Sequence, residues 1–199
     1  MIMNNKRLED QLSFILEIDK EKEIIRQTHL SNGGRRETDA EHAWHMAIMI
    51  YLLREYANEE IDLAKAMMMA LIHDVVEIDA GDTYAYDEEG LATQKERESK
   101  AADRIFGLLP DDQRDELHAL FDEFEAYETP ESRFAHVMDN FQPLLLNHTN
   151  DGGDWRENHV TKSQIYRRNA LTYKGSEEIW NTMKALVDEH IRKGNIRDE

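Results

Sequence analysis

The sequence predicts an all-α fold, a single compact bundle of roughly seven to nine helices. The chain has 199 residues with only three Pro and nine Gly, and Ala, Leu, Met, Glu, Lys and Arg, which all favour helix, are abundant. Apolar residues recur at intervals of three and four, which is the spacing of one helix face. No segment shows the alternation typical of a strand, so we expect no substantial sheet.

Three helices are predicted in the first 80 residues. An amphipathic helix is indicated by apolar residues at i, i+4, i+7 and i+8, which are Leu8, Leu12, Ile15 and Leu16. Thr38 and Glu41 form a capping-box pattern at the start of a helix that runs to about Tyr56. Asp62 can cap the next helix, LAKAMMMALIHDVVEI, which is apolar on nearly all sides and should therefore be central.

The middle of the chain alternates between a polar loop and charged helices. The segment Asp79 to Gly90 has no helical stripe and is predicted to be a loop. A charged helix follows from about Ala92 to Leu108 and ends before Pro110. An acidic helix is then expected from Asp111 to Glu128.

The last third of the chain contains three more predicted helices. Thr129 and Pro130 have the pattern of an N-cap and a first helical residue, so a helix starts there and runs past Leu145. Residues 150–154, NDGGD, form a strong turn signal. The remaining helices are expected over about residues 160–173 and from Ser176 to Lys193, closed by Gly194.

Composition bounds the function as well as the fold. The length suits a single domain over residues 1–199. A net charge of −18 argues against binding to nucleic-acid polymers, whose phosphates must be neutralised by Lys and Arg. The absence of cysteine excludes disulfides, thiolate nucleophiles and Cys-based metal sites. No apolar stretch is long enough to span a membrane, and the charged start of the chain predicts a cytoplasmic protein.

Histidines and aspartates on apolar helix faces are the feature that needs a functional explanation. His42 shares a face with Met46 and Met49, His73-Asp74 ends the most apolar helix, and Asp139 lies beside Met138. Taken singly, an inward His can be a hydrogen-bonded core residue, and a buried Asp can pair with an Arg. Taken together, two imidazoles and two carboxylates from three helices can all be satisfied by one divalent transition metal rather than by Ca²⁺.

Polar residues near these four suggest roles in chemistry. Glu77 follows Asp74 by three residues and His73 by four, so it lies on the same helix face and can reach a metal-bound water, although a solvated helix-end charge fits the position equally well. Residues 31–36, SNGGRR, form a small basic segment in an acidic chain, and arginine suits phosphate oxygens.

Three segments resemble motifs of the HD-domain superfamily of metal-dependent phosphohydrolases, in particular the small 5′-deoxynucleotidase-like members. The segments are TDAEH at 38–42, LIHDVVEIDAGD at 71–82 and FAHVMDNF at 134–141. The third differs from the family motif in carrying Asn140 where Lys is usual. The resemblance covers about residues 11–146, and the helices at 160–193 are expected to pack on that core.

The resemblance implies a role for each matching residue. The implied metal ligands are His42, His73, Asp74 and Asp139, and the implied water-handling acids are Glu77 and Asp82. Arg26 matches the arginine that binds substrate phosphate, and Arg35 or Arg36 matches a later arginine of the family. The cofactor is expected to be one divalent cation, with Mn, Co, Ni, Fe, Zn and Mg all left open.

The function implied is hydrolysis of nucleoside 5′-monophosphates to nucleoside and phosphate. Two alternatives stay open at this point: pyrophosphohydrolysis of nucleotides or alarmones, and a non-catalytic sensor that binds metal and nucleotide. The presence of both Glu77 and Asp82 favours catalysis over sensing. The expected partner is therefore a small phosphorylated substrate, and the family resemblance, with Trp155 and Trp180 as the only hint in the sequence, implies a homodimer.

Overall fold

A computed structural model describes residues 5–199, apart from the side chain of Glu88, and these residues are largely helical. The helices of the amino-terminal half are α1 (Lys6–Ile18), α2 (Asp39–Leu53), α3 (Leu63–Ile72), α4 (Glu77–Ala80) and α5 (Glu88–Phe106). Those of the carboxyl-terminal half are α6 (Asp111–Ala126), α7 (Pro130–Thr149), α8 (Gly153–Glu157), α9 (Lys162–Arg168) and α10 (Glu177–Arg192). Eight of these helices in the described part of the chain have seven residues or more, which confirms the predicted fold class.

The predicted helix starts are confirmed where a side chain caps the helix. Thr38 Oγ1 accepts from the backbone N–H of Glu41 at 3.3 Å, and the Glu41 carboxylate accepts from the Thr38 N–H at 3.0 Å. Asp62, Thr129 and Ser176 cap α3, α7 and α10 in the same way. Because these caps satisfy backbone donors left free at a helix end, they fix where each helix begins.

A two-stranded antiparallel sheet lies between α1 and α2, where no strand was predicted. The strands are β1 (Ile25–His29) and β2 (Arg36–Thr38), with Ile25 opposite Thr38 and His29 opposite Arg36. The two strands have five and three residues, which is too short for a pattern of alternation to be visible in the sequence.

Other segments also differ from the sequence prediction. The helix predicted over residues 63–78 is interrupted, because α3 ends at Ile72 and α4 begins only at Glu77, and the turn predicted at 150–154 leads into the short helix α8. The predicted loop at 79–90 is shorter, because α4 extends to Ala80 and α5 begins right after Asp87, whose carboxylate accepts from the N–H groups of Glu89 and Gly90. The helix predicted over 160–173 ends at Arg168, and a 3₁₀ turn follows at Thr172–Lys174. Within residues 5–199, no helix is long and apolar enough to cross a membrane.

Helix α7 is the centre of the molecule and packs against α2, α3, α6 and α10. The core around it includes the fully buried Ile50, Met69, Phe134, Met138 and Met183. A second apolar cluster surrounds α5 and includes Phe14, Ile105, Phe106 and Phe121. Since α7 carries Asp139, the main core holds this predicted ligand in a fixed position.

Candidate active site

A cavity of about 370 Å³ lies beside α7 and contains most of the predicted site residues. Its walls come from β1, residues 73–74 after α3, the helices α4 to α9 and the segment 82–86. His73, Asp74 and Asp139 line it together with Glu77 and Asp82. Helices that are distant in sequence therefore bring the predicted ligands and acids to one place.

Three ligand atoms converge at one point of this site. His42 lies in the first turn of α2, His73 directly follows the last residue of α3, and Asp139 is in α7. His42 Nε2 is 3.2 Å and His73 Nε2 is 3.9 Å from Asp139 Oδ1, and one ligand atom of each residue lies within 4.8 Å of the others. These three residues, all buried, could hold a divalent metal ion.

The hydrogen bonds on the outer side of each ring set the tautomer of the two histidines. His42 Nδ1 is 2.9 Å from Gln142 Oε1, and His73 Nδ1 is 3.0 Å from the carbonyl oxygen of Ala70. Because both partners are acceptors, each Nδ1 carries the proton, and in a neutral ring each Nε2 then carries a lone pair.

These lone pairs face carboxylate oxygens rather than donors. The His73 Nε2 is buried without a hydrogen-bond partner, and His42 Nε2 points at Asp139. A lone pair opposite a carboxylate oxygen is repulsive, and a cation between the two converts the contact into an attraction. The donor set therefore fits a divalent metal, independently of any family resemblance.

Asp74 lies next to this group and divides its two oxygens between two partners. Its Oδ1 is 3.1 Å from His73 Nε2, while its Oδ2 accepts a hydrogen bond from Arg26 at 2.6 Å. One oxygen therefore remains available on the metal side. This carboxylate links the predicted ligands to the predicted phosphate-binding arginine.

Arg26 is the most strongly engaged cation of the site. Its side chain is 13% exposed and lies 3.2 Å from Asp39 and 3.6 Å from Glu37, in addition to Asp74. Burial, together with the charge of Asp74, raises the pKa of the Asp39 carboxyl to about 7. Arg26 thus sits among more carboxylates than it can neutralise, which keeps its guanidinium charged and fixed.

The two predicted water-handling acids both line the cavity. Glu77 is the first residue of α4 and is 6% exposed, and its Oε2 has no hydrogen-bond partner. Burial and the neighbouring Asp74 and Asp39 raise the pKa of Glu77 above its ordinary value. Burial also raises the pKa of the half-buried Asp82, so both groups hold a proton more readily than a solvated carboxylate.

Arg35 and Arg36 lie outside the cavity wall. The Arg35 guanidinium pairs with the Glu41 carboxylate at the exposed start of α2, and Arg36 is on β2. Neither arginine is among the residues that line the cavity. The glycine-rich turn before them, which made this segment look like a phosphate site, instead connects β1 to β2.

Two residues that the sequence argument passed over complete the site. Gln142 is fully buried and binds both His42 and Glu37, and Arg168 donates to Asp139 Oδ2 at 3.1 Å and lines the cavity. Gln142 could have been found, since it follows Asp139 by three residues on one helix face. Arg168 had no local signal, because only the packing of α9 against the cavity brings it near Asp139.

A second group of possible ligands includes Asp154 of the cavity wall. His29, Asp154 and Glu157 bring one ligand atom each within 4.8 Å of one another. Asp154 already accepts from both the backbone N–H and the ring of His29, so its carboxylate is satisfied within the protein. This arrangement does not require a cation.

Comparisons with known proteins agree with this geometry. Residues 18–180 match the family model of the HD domain. The crystal structure of a predicted metal-dependent phosphohydrolase from Magnetospirillum magnetotacticum MS-1 is 48% identical to this chain, with a TM-score of 0.93, and the match covers 98% of this chain and 99% of that chain.

Curated relatives are more distant. The 5′-deoxynucleotidase HDDC2 of Danio rerio is 26% identical over 186 residues, which are 93% of this chain and 90% of that protein. The protein of the same name from Homo sapiens is 29% identical over 114 residues, 57% of this chain and 54% of that protein. The family match spans most of the chain and includes every residue of the convergent site, and this chain therefore belongs to the HD-domain family.

Proposed function

We propose that this protein is a metal-dependent phosphohydrolase that converts nucleoside 5′-monophosphates to nucleoside and phosphate. The observation that carries the proposal is the convergence of the two Nε2 lone pairs on Asp139, which lines a cavity together with Arg26, Glu77 and Asp82. His42 is fully buried and is not part of the cavity wall. The curated relatives named 5′-deoxynucleotidase support a nucleotide as the substrate. The cavity volume of about 370 Å³ lies within the range of small-molecule sites.

The residues that would hold the metal are His42, His73, Asp74 and Asp139, one divalent ion per chain. A bound metal polarises a phosphoryl oxygen and lowers the pKa of a bound water from 15.7 towards about 7. Nitrogen and oxygen ligands of this kind accept Mn, Co, Ni, Fe, Zn or Mg, and the occupant depends on which ion is available.

Arg26 and Arg168 are proposed to bind the phosphate oxygens. Both line the cavity, and each donates to a carboxylate of the proposed ligand set, Arg26 to Asp74 and Arg168 to Asp139. These carboxylates hold the guanidinium groups beside the metal position, so the substrate does not have to order them. Their planar donors match two phosphate oxygens at a time.

Glu77 and Asp82 are proposed to move the proton during hydrolysis. The attacking water loses a proton as its oxygen bonds to phosphorus, and the 5′ oxygen gains one as the ester bond breaks. A carboxylate beside the metal position can accept the proton of the attacking water and, once protonated, can return it to the leaving oxygen. Glu77 and Asp82 both line the cavity together with Asp74 and Asp139, which places them for this role.

The experiment that tests this proposal is a panel of phosphorylated substrates. Purified protein is supplied with Mn²⁺, Co²⁺, Ni²⁺ or Mg²⁺ and with ribo- and deoxyribonucleoside monophosphates, triphosphates and alarmones. Release of phosphate from monophosphates supports the proposal. Release of pyrophosphate supports the pyrophosphohydrolase alternative, and binding of nucleotide with no turnover supports the sensor.

A homodimer formed by a single-domain chain is part of the proposal, and we place its interface away from Trp155 and Trp180. Trp155 is 4% exposed and Trp180 packs partly on Tyr166. Exposed apolar side chains instead share one face of α2 at i, i+4, i+7 and i+8, namely Trp44, Ile48, Tyr51 and Leu52. Light scattering should give twice the chain mass of 23.4 kDa, and a mass of one chain contradicts a dimer.

A cytoplasmic location stays a prediction, which cell fractionation tests.

A further inference from the structure

Two buried asparagines, Asn147 and Asn169, line the same cavity as His73 and Asp139. Asn147 is 6% exposed and donates to the Pro143 carbonyl, and Asn169 is 4% exposed and donates to the Ile165 carbonyl. The Oδ1 atom of each is buried without a hydrogen-bond partner. An unpaired buried acceptor is destabilising, so these two oxygens, like the Oδ1 of Asn140 beside Asp139, call for a ligand that donates.

Helix geometry sets the distance between Asn147 and the proposed ligand Asp139, which share α7. Residues Asp139, Pro143, Leu144 and Asn147 of α7 all line the cavity, so one face of the helix runs along its wall. Asn147 follows Asp139 by eight residues, and at 1.5 Å per residue the two lie about 12 Å apart along the helix. This length matches the extended distance from the phosphate of a nucleotide to the far edge of its base.

The side chains around the two asparagines suit a flat ring. Tyr84 and Tyr86 form an edge-to-face pair with ring centroids 5.3 Å apart, and both line the cavity together with Trp155 and Leu144. Aromatic and apolar walls favour a planar heterocycle, while the polar edge of that heterocycle needs partners at a defined place. The asparagine oxygens are acceptors, so the edge they would recognise must carry donors.

We propose that Asn147 and Asn169 form a nucleobase subsite that selects bases with an exocyclic amino group. The inference rests on the proposed function, since it places the phosphate of the same substrate at the metal end. Cytosine and adenine present an amino group where uracil and hypoxanthine present a carbonyl. A carbonyl oxygen opposite Asn147 Oδ1 and Asn169 Oδ1 would leave both acceptors unpaired and repel them.

Matched substrate pairs test this directly, because the bases of each pair differ only in the exocyclic group and in the adjacent ring nitrogen, which accepts in cytosine and adenine and carries a hydrogen in uracil and hypoxanthine. We expect kcat/KM for dCMP to exceed that for dUMP by about 10-fold, and kcat/KM for dAMP to exceed that for dIMP by the same factor. This is the usual effect of replacing one neutral hydrogen bond by an unpaired buried group. Equal kcat/KM within both pairs overturns the subsite while leaving the proposed function intact.

Variants identify which residues discriminate. Asn147→Leu and Asn169→Leu should each lower the dCMP to dUMP ratio towards one, whereas Asn147→Asp, which keeps an acceptor oxygen, should retain the preference. Asn181→Leu on the exposed surface of α10 is the matched control and should leave the ratio unchanged. If both variants keep the wild-type ratio of kcat/KM for dCMP to that for dUMP, the assignment to Asn147 and Asn169 is wrong.

A binding measurement separates this inference from the proposed function. If no monophosphate is hydrolysed, the proposed function fails, and the subsite is then tested by calorimetry with deoxycytidine and deoxyuridine, which carry no phosphate. Tighter binding of deoxycytidine, lost in Asn147→Leu, supports the subsite. Equal binding of the two nucleosides by wild-type protein overturns it.

Discussion

Residues 5–199 contain two pairs of histidines with neighbouring rings, and the ring nitrogens of the two pairs are used in opposite ways. His42 and His73 have ring centroids 5.6 Å apart, and His148 and His190 have centroids 5.3 Å apart. In the first pair, both Nδ1 atoms donate outward and both Nε2 atoms point towards carboxylate oxygens. In the second pair, the rings bind each other, with His148 Nδ1 3.0 Å from His190 Nε2.

The neighbours of the second pair explain why it needs no metal. The Asn195 amide nitrogen, which only donates, lies 2.9 Å from His190 Nδ1, so the His190 Nε2 carries the proton and donates it to His148. All the ring atoms involved are thereby satisfied within the protein. Burial of a histidine pair therefore does not by itself indicate a metal site. The indication comes from free Nε2 lone pairs that point towards carboxylate oxygens.

The largest expected effect comes from removing one ligand of the first pair. His73→Ala should lose bound metal and reduce phosphate release to background, because it removes one of the two imidazole ligands proposed for the metal. His148→Ala is the matched control and should retain both metal and activity. The comparison of the two pairs fails if both variants behave alike in metal analysis and phosphate release.

Glu77 tests whether the cavity is catalytic or only binds. Glu77→Gln keeps the size of the side chain and removes its ability to accept a proton, so kcat should fall by about 10²–10⁴-fold with metal still bound. Asp82→Asn is measured in parallel. Full turnover by Glu77→Gln, combined with a large loss in Asp82→Asn, would assign the proton transfer to Asp82 instead.

Gln142 tests the claim that the outer hydrogen bond orients the ligand histidine. Gln142→Leu removes the acceptor of the His42 Nδ1 proton, and metal affinity should fall by about 10–100-fold, as for other residues that orient a metal-binding histidine. Gln142→Glu, which keeps an acceptor oxygen, should lose less. Unchanged affinity in Gln142→Leu, measured by competition with a chelator, contradicts the orienting role.

The arginines test the placement of phosphate. Arg26→Ala and Arg168→Ala should each raise KM by about 10-fold or more, the effect of losing a charge-assisted hydrogen bond, with a smaller change in kcat. Arg35→Ala should have no effect on KM because Arg35 pairs with Glu41 outside the cavity. An effect of Arg35→Ala as large as that of Arg26→Ala would move the phosphate site to the start of α2.

The smallest effect is expected on stability, from the second histidine pair. Burial, with added repulsion from Lys193 and His148, lowers the pKa of His190, so the ring is neutral in the folded protein. Since the unfolded ring takes up a proton near pH 6.5, the free energy of unfolding should fall as pH drops below about 6.5. His190→Gln should lower this free energy by about 1–3 kcal/mol at pH 8, flatten its dependence on acid pH and leave metal content unchanged. Urea unfolding at several pH values measures each of these, and an unchanged acid dependence contradicts the role of His190.

The fold could be predicted because the local signals agree with the tertiary structure. Capping residues such as Thr38, Asp62 and Thr129 lie where apolar periodicity begins, so each helix start is marked twice. The short strands β1 and β2 could not be predicted, because a few residues are too few to show a period. The premature end of α9 likewise depends on packing that local sequence does not encode.

The candidate site could be predicted only in part, for a related reason. His42, His73 and Asp139 could be found because a polar residue on an apolar helix face needs a partner. Whether an arginine reaches the cavity depends on tertiary geometry, which is why Arg35 and Arg36 attracted attention and Arg168 did not. The roles assigned to the site residues stay predictions until they are measured.

Elemental analysis of purified protein tests the central claim most directly. Wild-type protein, His73→Ala and His148→Ala are loaded with Mn²⁺, passed over a desalting column and analysed for metal per chain. We expect about one ion per chain in wild-type protein and in His148→Ala, and a loss of that ion in His73→Ala. Equal metal content in His73→Ala and wild-type protein would contradict this expectation.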